Sequence, residues 1–256
     1  MNKHTISKKQ NEILSLLYKF RFLNRKQIQT MLAHKYPSRI FSWLDDLTSN
    51  EYLNCTYEKN FNNLPAIYSL GKNGRKYLKK TIGKSKQLER ARKSKCSKRF
   101  IDHSIFIGDI YLSLLSFTKK NKSKLHFYSK TELSDMEHLI SPHPDVYFAI
   151  ESETGEVKRY FLDVLNESLR TNVLRFRVKA YLNYYESEQW QDNTDKPFPE
   201  IILICPTAKL KNHLYYYIRE RLDEENYPNF YLTTKELIQS KGVTRESLEK
   251  ILPKES

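Results

Sequence analysis

Cysteine and glycine are scarce in this chain of 256 residues, and their scarcity excludes several classes of protein. The three cysteines are far apart and odd in number, at Cys55, Cys96 and Cys205. Such spacing indicates neither a disulfide framework nor a zinc-binding motif. With only six glycines, the sequence also contains no glycine-rich loop of the kind that binds nucleotide phosphates, so an ATPase is not expected.

Paired histidines and long apolar runs are missing as well. The seven histidines include no His-x-His pair, which a relaxase of the His-hydrophobe-His metal type would need. No stretch approaches the roughly 20 apolar residues that cross a bilayer. The first residues lead into an amphipathic helix rather than a signal peptide. We therefore expect a cytoplasmic protein with no membrane partner.

Acidic residues are few in the first part of the chain. Residues 1–99 contain 23 lysines and arginines against 6 aspartates and glutamates, whereas residues 100–256 contain 21 against 24. The excess behind the net charge of +14 is thus confined to the first part. A concentrated positive field attracts nucleic acid, largely through release of the counterions condensed on it. The alternative is a basic surface that serves solubility alone.

Three short amphipathic helices are predicted at the start of the chain. Apolar residues recur at helical spacing in residues 6–20, in residues 25–34 and from Pro37 onward. Two strands, at residues 51–58 and 65–70, follow around a polar tip. A helix-turn-helix followed by a hairpin is typical of a winged helix, so we assign residues 1–78 to such a DNA-binding domain. A protein-binding or dimerisation module is the alternative.

In a helix-turn-helix, the third helix enters the major groove by its N-terminal part. Polar residues off its apolar face would reach base edges or phosphates of double-stranded DNA, and basic residues nearby would contact the backbone. The candidates for DNA contact are Ser38, Arg39 and Ser42 on the third helix, Arg25 and Lys26 at the start of the second, Lys59 and Asn60 in the wing, and Arg92, Lys93 and Lys95 beyond it.

Residues 79–99 carry ten basic residues and one acidic residue. This composition predicts a linker that stays extended until it meets an anion. The body, residues 100–256, has the predicted element order α-β-β-β-α-β-α-β-α, which indicates an α/β (α+β) domain with a mixed sheet. Its most apolar stretch, residues 200–206, predicts a strand that is buried on both faces.

Two aspartates stand on the predicted hairpin of the body. Asp145 lies at the mouth of the first strand (residues 144–150), and Asp163 lies within the second (residues 159–165). In a hairpin they can converge on one end of the sheet, which is how oxygen ligands hold a hard divalent cation. The plainer alternative is that Asp145 begins a strand and Asp163 caps an internal network.

The order Pro144-Asp145, hairpin, Asp163 in an apolar strand resembles the core of the PD-(D/E)XK nucleases. Residues 161–169, with the basic helix that follows and ends at Tyr185, are similar to the replication-relaxation family. Those are proteins of plasmids and integrative elements, and the resemblance implies a winged-helix head with a restriction-endonuclease-like body. It implies Mg²⁺ held by Asp145 and Asp163, with Glu132 as a further ligand.

In the nuclease pattern a lysine follows the second acidic residue by two positions, but this position is Leu165. The resemblance implies that Lys179, on the next helix, would have to supply the cation, while Arg170 and Arg175 would clamp phosphate. Because Leu165 offers neither a lysine nor a second acid, we favour a degenerate nuclease fold that binds DNA in the replication, relaxation or mobilisation of a mobile element.

Two other functions remain open at this point. One is a Mg²⁺-dependent endonuclease or nickase in which Asp145, Asp163 and Lys179 are catalytic. The other is a winged-helix transcriptional repressor, which would need no metal. Relaxase or replication proteins are candidate partners, and a homodimer is a further option.

Overall fold

In the computed structural model, the chain divides into two compact units, Met1–Leu112 and Ser113–Ser256. The division lies within a long helix, so the boundary predicted near residue 100 comes before it. Residues 83–95 of the predicted linker lie outside the described residues. The structure describes residues 5–57, 65–82, 96–167, 170–222 and 227–254.

The first unit combines short helices with a three-stranded antiparallel sheet in the order β1-β3-β2. The predicted helices and hairpin are present in the predicted order, while the two-residue strand β1 was not predicted. Its elements are α1 (Lys8–Phe20), β1 (Leu23–Asn24), α2 (Arg25–Met31), α3 (Pro37–Ser49), β2 (Leu53–Thr56), β3 (Ile67–Leu70), α4 (Lys72–Thr81) and the first part of α5 (Lys98–Lys120).

Local sequence signals set the starts of these helices. Ser7 and Gln10 form a capping box at α1, and Asn24 and Gln27 form another at α2. Pro37 lies in the first turn of α3, where its missing N–H costs no helical hydrogen bond. The apolar faces then pack together in a core that includes Ile13, Leu14, Leu17, Leu23, Ile28, Ile40, Leu44 and Leu47, all fully buried.

The side chain of Gln27 joins α2 to the first part of α5. Its Nε2 donates to the carbonyl of Ile105 at 2.8 Å and to Oδ1 of Asp109 at 2.7 Å. Gly108 allows this close approach, because a Cβ there would lie 2.9 Å from Nε2 of Gln27. The rings of Phe20 and Tyr111 add a contact at 5.2 Å between centroids. Residues of α5 up to Leu112 therefore belong to the core of the first unit.

By length and composition α5 could also cross a membrane, and among the described residues it is the one helix that could. The sequence predicts no such segment, because no run approaches the roughly 20 apolar residues that cross a bilayer. Core helices of soluble proteins pass the same test, and Phe106, Ile107 and Ile110 are buried in the protein.

The second unit is built on a six-stranded mixed sheet in the order β4-β5-β6-β7-β8-β9. Strands β4, β5 and β6 are antiparallel, β6, β7 and β8 are parallel, and β9 is antiparallel to β8. The elements are β4 (Lys124–Ser129), α6 (Lys130–Leu133), β5 (Val146–Glu151), β6 (Val157–Val164), α7 (Thr171–Glu186), α8 (Gln189–Thr194), β7 (Glu200–Cys205), α9 (Ala208–Arg219), β8 (Phe230–Thr234), α10 (Lys235–Lys241), a 3₁₀-helix (Arg245–Ser247) and β9 (Glu249–Lys250).

The predicted mixed α/β fold is confirmed, and its parallel half explains the most apolar stretch of the sequence. Helices α7 and α9 are the crossovers that parallel strands require. Strand β7 lies between β6 and β8, and residues 201–205 are each completely buried. The prediction of a strand buried on both faces is therefore confirmed. The packing of α7 beside this part of the sheet determines which of its side chains reach β6.

Candidate functional site

Asp145 and Asp163 meet at one end of the β5–β6 hairpin. Val146 is the register partner of Leu162, so the residues that continue each strand lie next to each other. The backbone N–H of Asp145 donates to Oδ1 of Asp163 at 3.1 Å, and the N–H of Val164 donates to Oδ2 of Asp145 at 3.0 Å. The antiparallel pairing thus brings the two carboxylates together.

The second oxygen of Asp163 is bound by helix α7. Nε of Arg177 donates to Oδ2 of Asp163 at 2.5 Å, and the hydroxyl of Tyr181 donates to the same oxygen at 3.0 Å. The other guanidinium nitrogens of Arg177 donate to the hydroxyl of Tyr181, at 2.9 Å, and to the carbonyl of Pro142. All three ionisable side chains are buried, so they form a closed hydrogen-bonded network inside the second unit.

The network fixes the protonation states of Arg177 and Tyr181. Burial lowers the pKa of Arg177, but the charge of Asp163, its hydrogen bond and the neighbouring Tyr181 and Asp145 together outweigh burial and raise that pKa above its ordinary value. Burial, followed by the charge of Asp163, raises the pKa of Tyr181 well above its ordinary value. Arg177 therefore stays charged and Tyr181 stays a hydrogen-bond donor at neutral pH. The result is a buried ion pair supported by a neutral phenol.

The remaining predicted site residues have other positions. Glu132 closes a capping box at the start of α6, where its Oε2 accepts from the N–H of Ser129 at 2.9 Å. Lys179 is exposed on α7, and the cation that α7 places on Asp163 is Arg177 instead. On the other side of the pair, Nζ of Lys130 lies 3.1 Å from Oδ1 of Asp145.

This arrangement is that of an ion-pair network and does not fit Mg²⁺. Magnesium requires a near-octahedral set of oxygen ligands at short distances. Here Asp163 and Asp145 already bind two backbone N–H groups and two cationic side chains. Throughout the described part of the chain, no three carboxylate, imidazole or thiol groups are clustered as metal ligands. The geometry matches the alternative in which Asp163 belongs to an internal network.

Sequence reasoning overlooked Arg177, although a signal for it exists. Leu174, Val178 and Tyr181 form the apolar face of α7 at helical spacing, and Arg177 lies on that same face. A charged residue on the buried face of a helix needs a buried partner of opposite charge, because isolated charges are rarely buried. Asp163, an acidic residue in an otherwise apolar strand, meets the same requirement.

A second group of predicted residues lies together at the start of α3. Ser38, Arg39 and Ser42 are exposed and, with Tyr36, line one open depression of the surface. Tyr36 is 61% exposed. The depression therefore presents one guanidinium, two hydroxyls and an aromatic ring to solvent. This is a set of groups that can contact both phosphates and base edges.

The other predicted DNA-contact residues are only partly described. Lys26 is exposed at the start of α2, and Arg25 beside it is half-buried. The predicted wing and linker residues, Lys59, Asn60, Arg92, Lys93 and Lys95, lie outside the described residues.

Comparison with known proteins gives one family match. A family model described as replication-relaxation matches residues 14–201. No curated protein matches the chain. Among solved structures, the restriction endonuclease FokI is similar, with 13% sequence identity and a TM-score of 0.30. The match covers 93% of this chain and 46% of the FokI chain, so this chain spans less than half the length of FokI. That TM-score is too low to support an argument about fold or function. The family match, in contrast, covers well over half of the chain. It includes the exposed residues Ser38, Arg39 and Ser42 (the α3 surface), the two carboxylates of the hairpin and α7. The chain therefore belongs to the replication-relaxation family.

Proposed function

We propose that this protein binds double-stranded DNA through its first unit and that its second unit does not cut the DNA. The observation that carries the proposal is the surface at the start of α3. Ser38, Arg39 and Ser42 are exposed there around one depression, while Ile40 and Leu44 of the same helix are fully buried. One face of α3 holds the core together, and the other is left for a ligand.

The arrangement of the first unit supports a winged helix. Helices α1, α2 and α3 precede a β2–β3 hairpin, and β1 between α1 and α2 pairs with β3. In DNA-binding proteins with a helix-turn-helix, the last of these helices lies in the major groove with its N-terminal residues on the base edges. The corresponding residues here are those of the α3 surface.

Charge supports DNA as the ligand. The 23 basic and 6 acidic residues among residues 1–99 give this part of the chain a strong excess of positive charge. Duplex DNA is a polyanion, and its affinity for a basic surface comes largely from counterion release. A protein ligand of ordinary composition would gain little from such a charge.

The family connects DNA binding with replication or relaxation. We propose that the protein acts in the replication, relaxation or mobilisation of a plasmid or integrative element, with relaxase or replication proteins as partners. A homodimer and a cytoplasmic location complete the proposal. The Asp163–Arg177–Tyr181 network supports a non-catalytic body, because the carboxylate that a nuclease would use to bind a metal is held by an arginine.

Equilibrium binding of the full chain to labelled duplexes tests this function. We expect Arg39→Ala to weaken binding to a site from the parent element's origin by roughly tenfold, the effect of losing one base or phosphate contact of about 1–3 kcal/mol. Binding to random duplex should weaken less. Lys76→Ala is the matched control, because it removes one exposed positive charge from α4, away from the α3 surface. Equal effects of both variants on both duplexes would contradict the role of α3.

One observation favours a second candidate, a metal-dependent endonuclease. Asp145 and Asp163 do lie side by side at the end of the hairpin, as two metal-binding carboxylates would. For that function Arg177 would have to leave Asp163 when metal and DNA bind. Cleavage of plasmid DNA distinguishes the two candidates.

A further inference from the structure

A cluster of cationic side chains surrounds Tyr217 in the second unit. The guanidinium carbon of Arg175, on α7, lies 5.0 Å from the centre of the Tyr217 ring, and that of Arg221 lies 3.7 Å from it. Nη2 of Arg175 also donates to Nε2 of His213, on α9, at 3.3 Å. Two guanidinium groups thus lie against one ring where α7 packs beside α9, and an imidazole contacts one of them.

Among the described residues, no strong anionic partner accompanies this cluster. In the part of the chain that the structure describes, Arg175 has no carboxylate partner, and its Nε is buried without a hydrogen-bond acceptor. Arg221 lies 3.7 Å from Glu220, in a pair that is largely exposed and therefore weak. Arg177, two residues from Arg175, shows the contrast, because each of its three nitrogens donates to an acceptor, namely Asp163, Tyr181 or a carbonyl.

The geometry suits a phosphate group. Guanidinium groups bind phosphate oxygens through two parallel N–H donors, and stacking on an aromatic ring holds them in a fixed orientation beforehand. Arg221 is exposed, while Arg175 and His213 are half-buried, so an anion can reach the cluster from solvent.

We propose that Arg175, Arg221 and His213 bind a backbone phosphate of duplex DNA, an inference that rests on the proposed function of DNA binding. The neighbouring exposed aromatic residues favour DNA over a free phosphate ion. Phe176 is 61% exposed and Tyr216 is 62% exposed. Exposed aromatic rings are enriched in surfaces that contact other macromolecules, and they contribute nothing to holding a small ion. The second unit thus adds a contact to the backbone that is independent of base sequence.

The salt dependence of duplex binding by the full chain tests the inference. Each phosphate contact contributes about 0.9 to the slope of log K against log salt for B-form DNA. We expect Arg175→Gln and Arg221→Gln each to lower that slope, and the double variant to lower it by about 0.9 because the cluster contacts one phosphate, while Arg175→Lys retains most of it. Arg219→Gln, on the same helix as His213 but outside the cluster, is the matched control and should leave the slope unchanged. Thermal unfolding verifies that each variant is folded.

The outcomes separate this inference from the proposed function. If the wild-type protein binds no duplex at low salt, the proposed function fails and the inference fails with it. If the wild type binds but both cluster variants keep the wild-type slope, the inference alone is overturned. A third arm adds inorganic phosphate without DNA. Thermal stabilisation by phosphate that Arg175→Gln abolishes, together with an unchanged DNA slope, would assign the cluster to the free anion and overturn the DNA contact.

Discussion

Replacing Arg177 tests the role of the buried network in the second unit. The side chains of Arg177 and Asp163 are 10% and 8% exposed, so Arg177→Met leaves the carboxylate of Asp163 in the interior without its counter-ion. Removing one partner of a buried ion pair costs about 3–5 kcal/mol. Since a domain's whole stability is about 5–15 kcal/mol, this loss is a large fraction of it. At roughly 2–4 °C per kcal/mol, the melting temperature of the second unit should fall by about 6–20 °C.

Urea unfolding and calorimetry of the full chain measure the loss. Lys179→Met is the matched control on the same helix; because Lys179 is exposed, its replacement should change stability by less than about 0.5 kcal/mol. The double variant Arg177→Met with Asp163→Leu should recover much of the loss, since apolar residues of similar volume often replace a buried pair without cost. A loss below about 1 kcal/mol for Arg177→Met would refute the reasoning, because a true buried pair cannot be broken so cheaply.

Three further predictions concern packing within each unit. Gln27→Leu should destabilise the first unit by about 1–3 kcal/mol, because it removes the amide that donates to the carboxylate of Asp109 and to the carbonyl of Ile105. Urea unfolding measures this, and an unchanged midpoint would mean that α5 does not depend on Gln27. Asp109 is exposed on α5, and only the part of its carboxylate held against Gln27 is desolvated; this desolvation raises its pKa, partly offset by the hydrogen bond from Gln27. The folded state therefore binds the proton more tightly than the unfolded state, and stability falls as pH rises above about 4. Asp109→Asn keeps a hydrogen-bond acceptor for Gln27 and should flatten the dependence of stability on pH. The melting temperature of this variant at pH 7 should be at least equal to that of the wild type. A lower value would show that the charge is stabilising. Gly242→Ala should lower the melting temperature of the second unit. Gly242 has φ of +69°, which side chains rarely adopt, and a Cβ there would lie 2.2 Å from Oγ of Ser113. An unchanged melting temperature would mean that this turn tolerates a side chain.

Much of the fold follows from patterns that are local in the sequence. The apolar faces of α1 and α3 repeat at helical spacing, and the hairpin strands are rich in aromatic and β-branched residues. The continuous apolar run at β7 predicts its burial, which the parallel strands on both sides explain. Short elements cannot be predicted from the spacing of apolar residues. Strands β1 and β9 have two residues each and α6 has four, too few for a period to be visible.

The candidate site was predictable in part, because its two halves depend on different information. The convergence of Asp145 and Asp163 follows from the hairpin alone. The choice of Arg177 over Lys179 depends on how α7 is rotated against the sheet. Two residues along a helix are about 200° apart, so only one of the two can face β6. The apolar residues around Arg177 indicate which face of α7 is buried. The sequence prediction named Lys179 because Leu165 stands where the nuclease pattern has a lysine.

The division between the units shows a similar limit. The basic composition of residues 79–99 suggests a linker that ends near residue 100, yet the first part of α5 packs with α2. The contact depends on one polar side chain, Gln27, on an otherwise apolar helix face. Its partners are a carbonyl and a carboxylate some 80 residues later in the chain. No local pattern connects residues that far apart.

Incubation of the full chain with supercoiled plasmid carrying the parent element's origin, in Mg²⁺ or Mn²⁺ at low salt, tests the central claim most directly. Agarose gels run before and after protease digestion report binding and cutting in one measurement. Because Arg177 holds Asp163, we expect retarded plasmid that returns to the supercoiled position after digestion. Metal-dependent open-circle DNA that Asp163→Asn abolishes would contradict the claim and make the protein an endonuclease. Plasmid that is never retarded would contradict DNA binding itself.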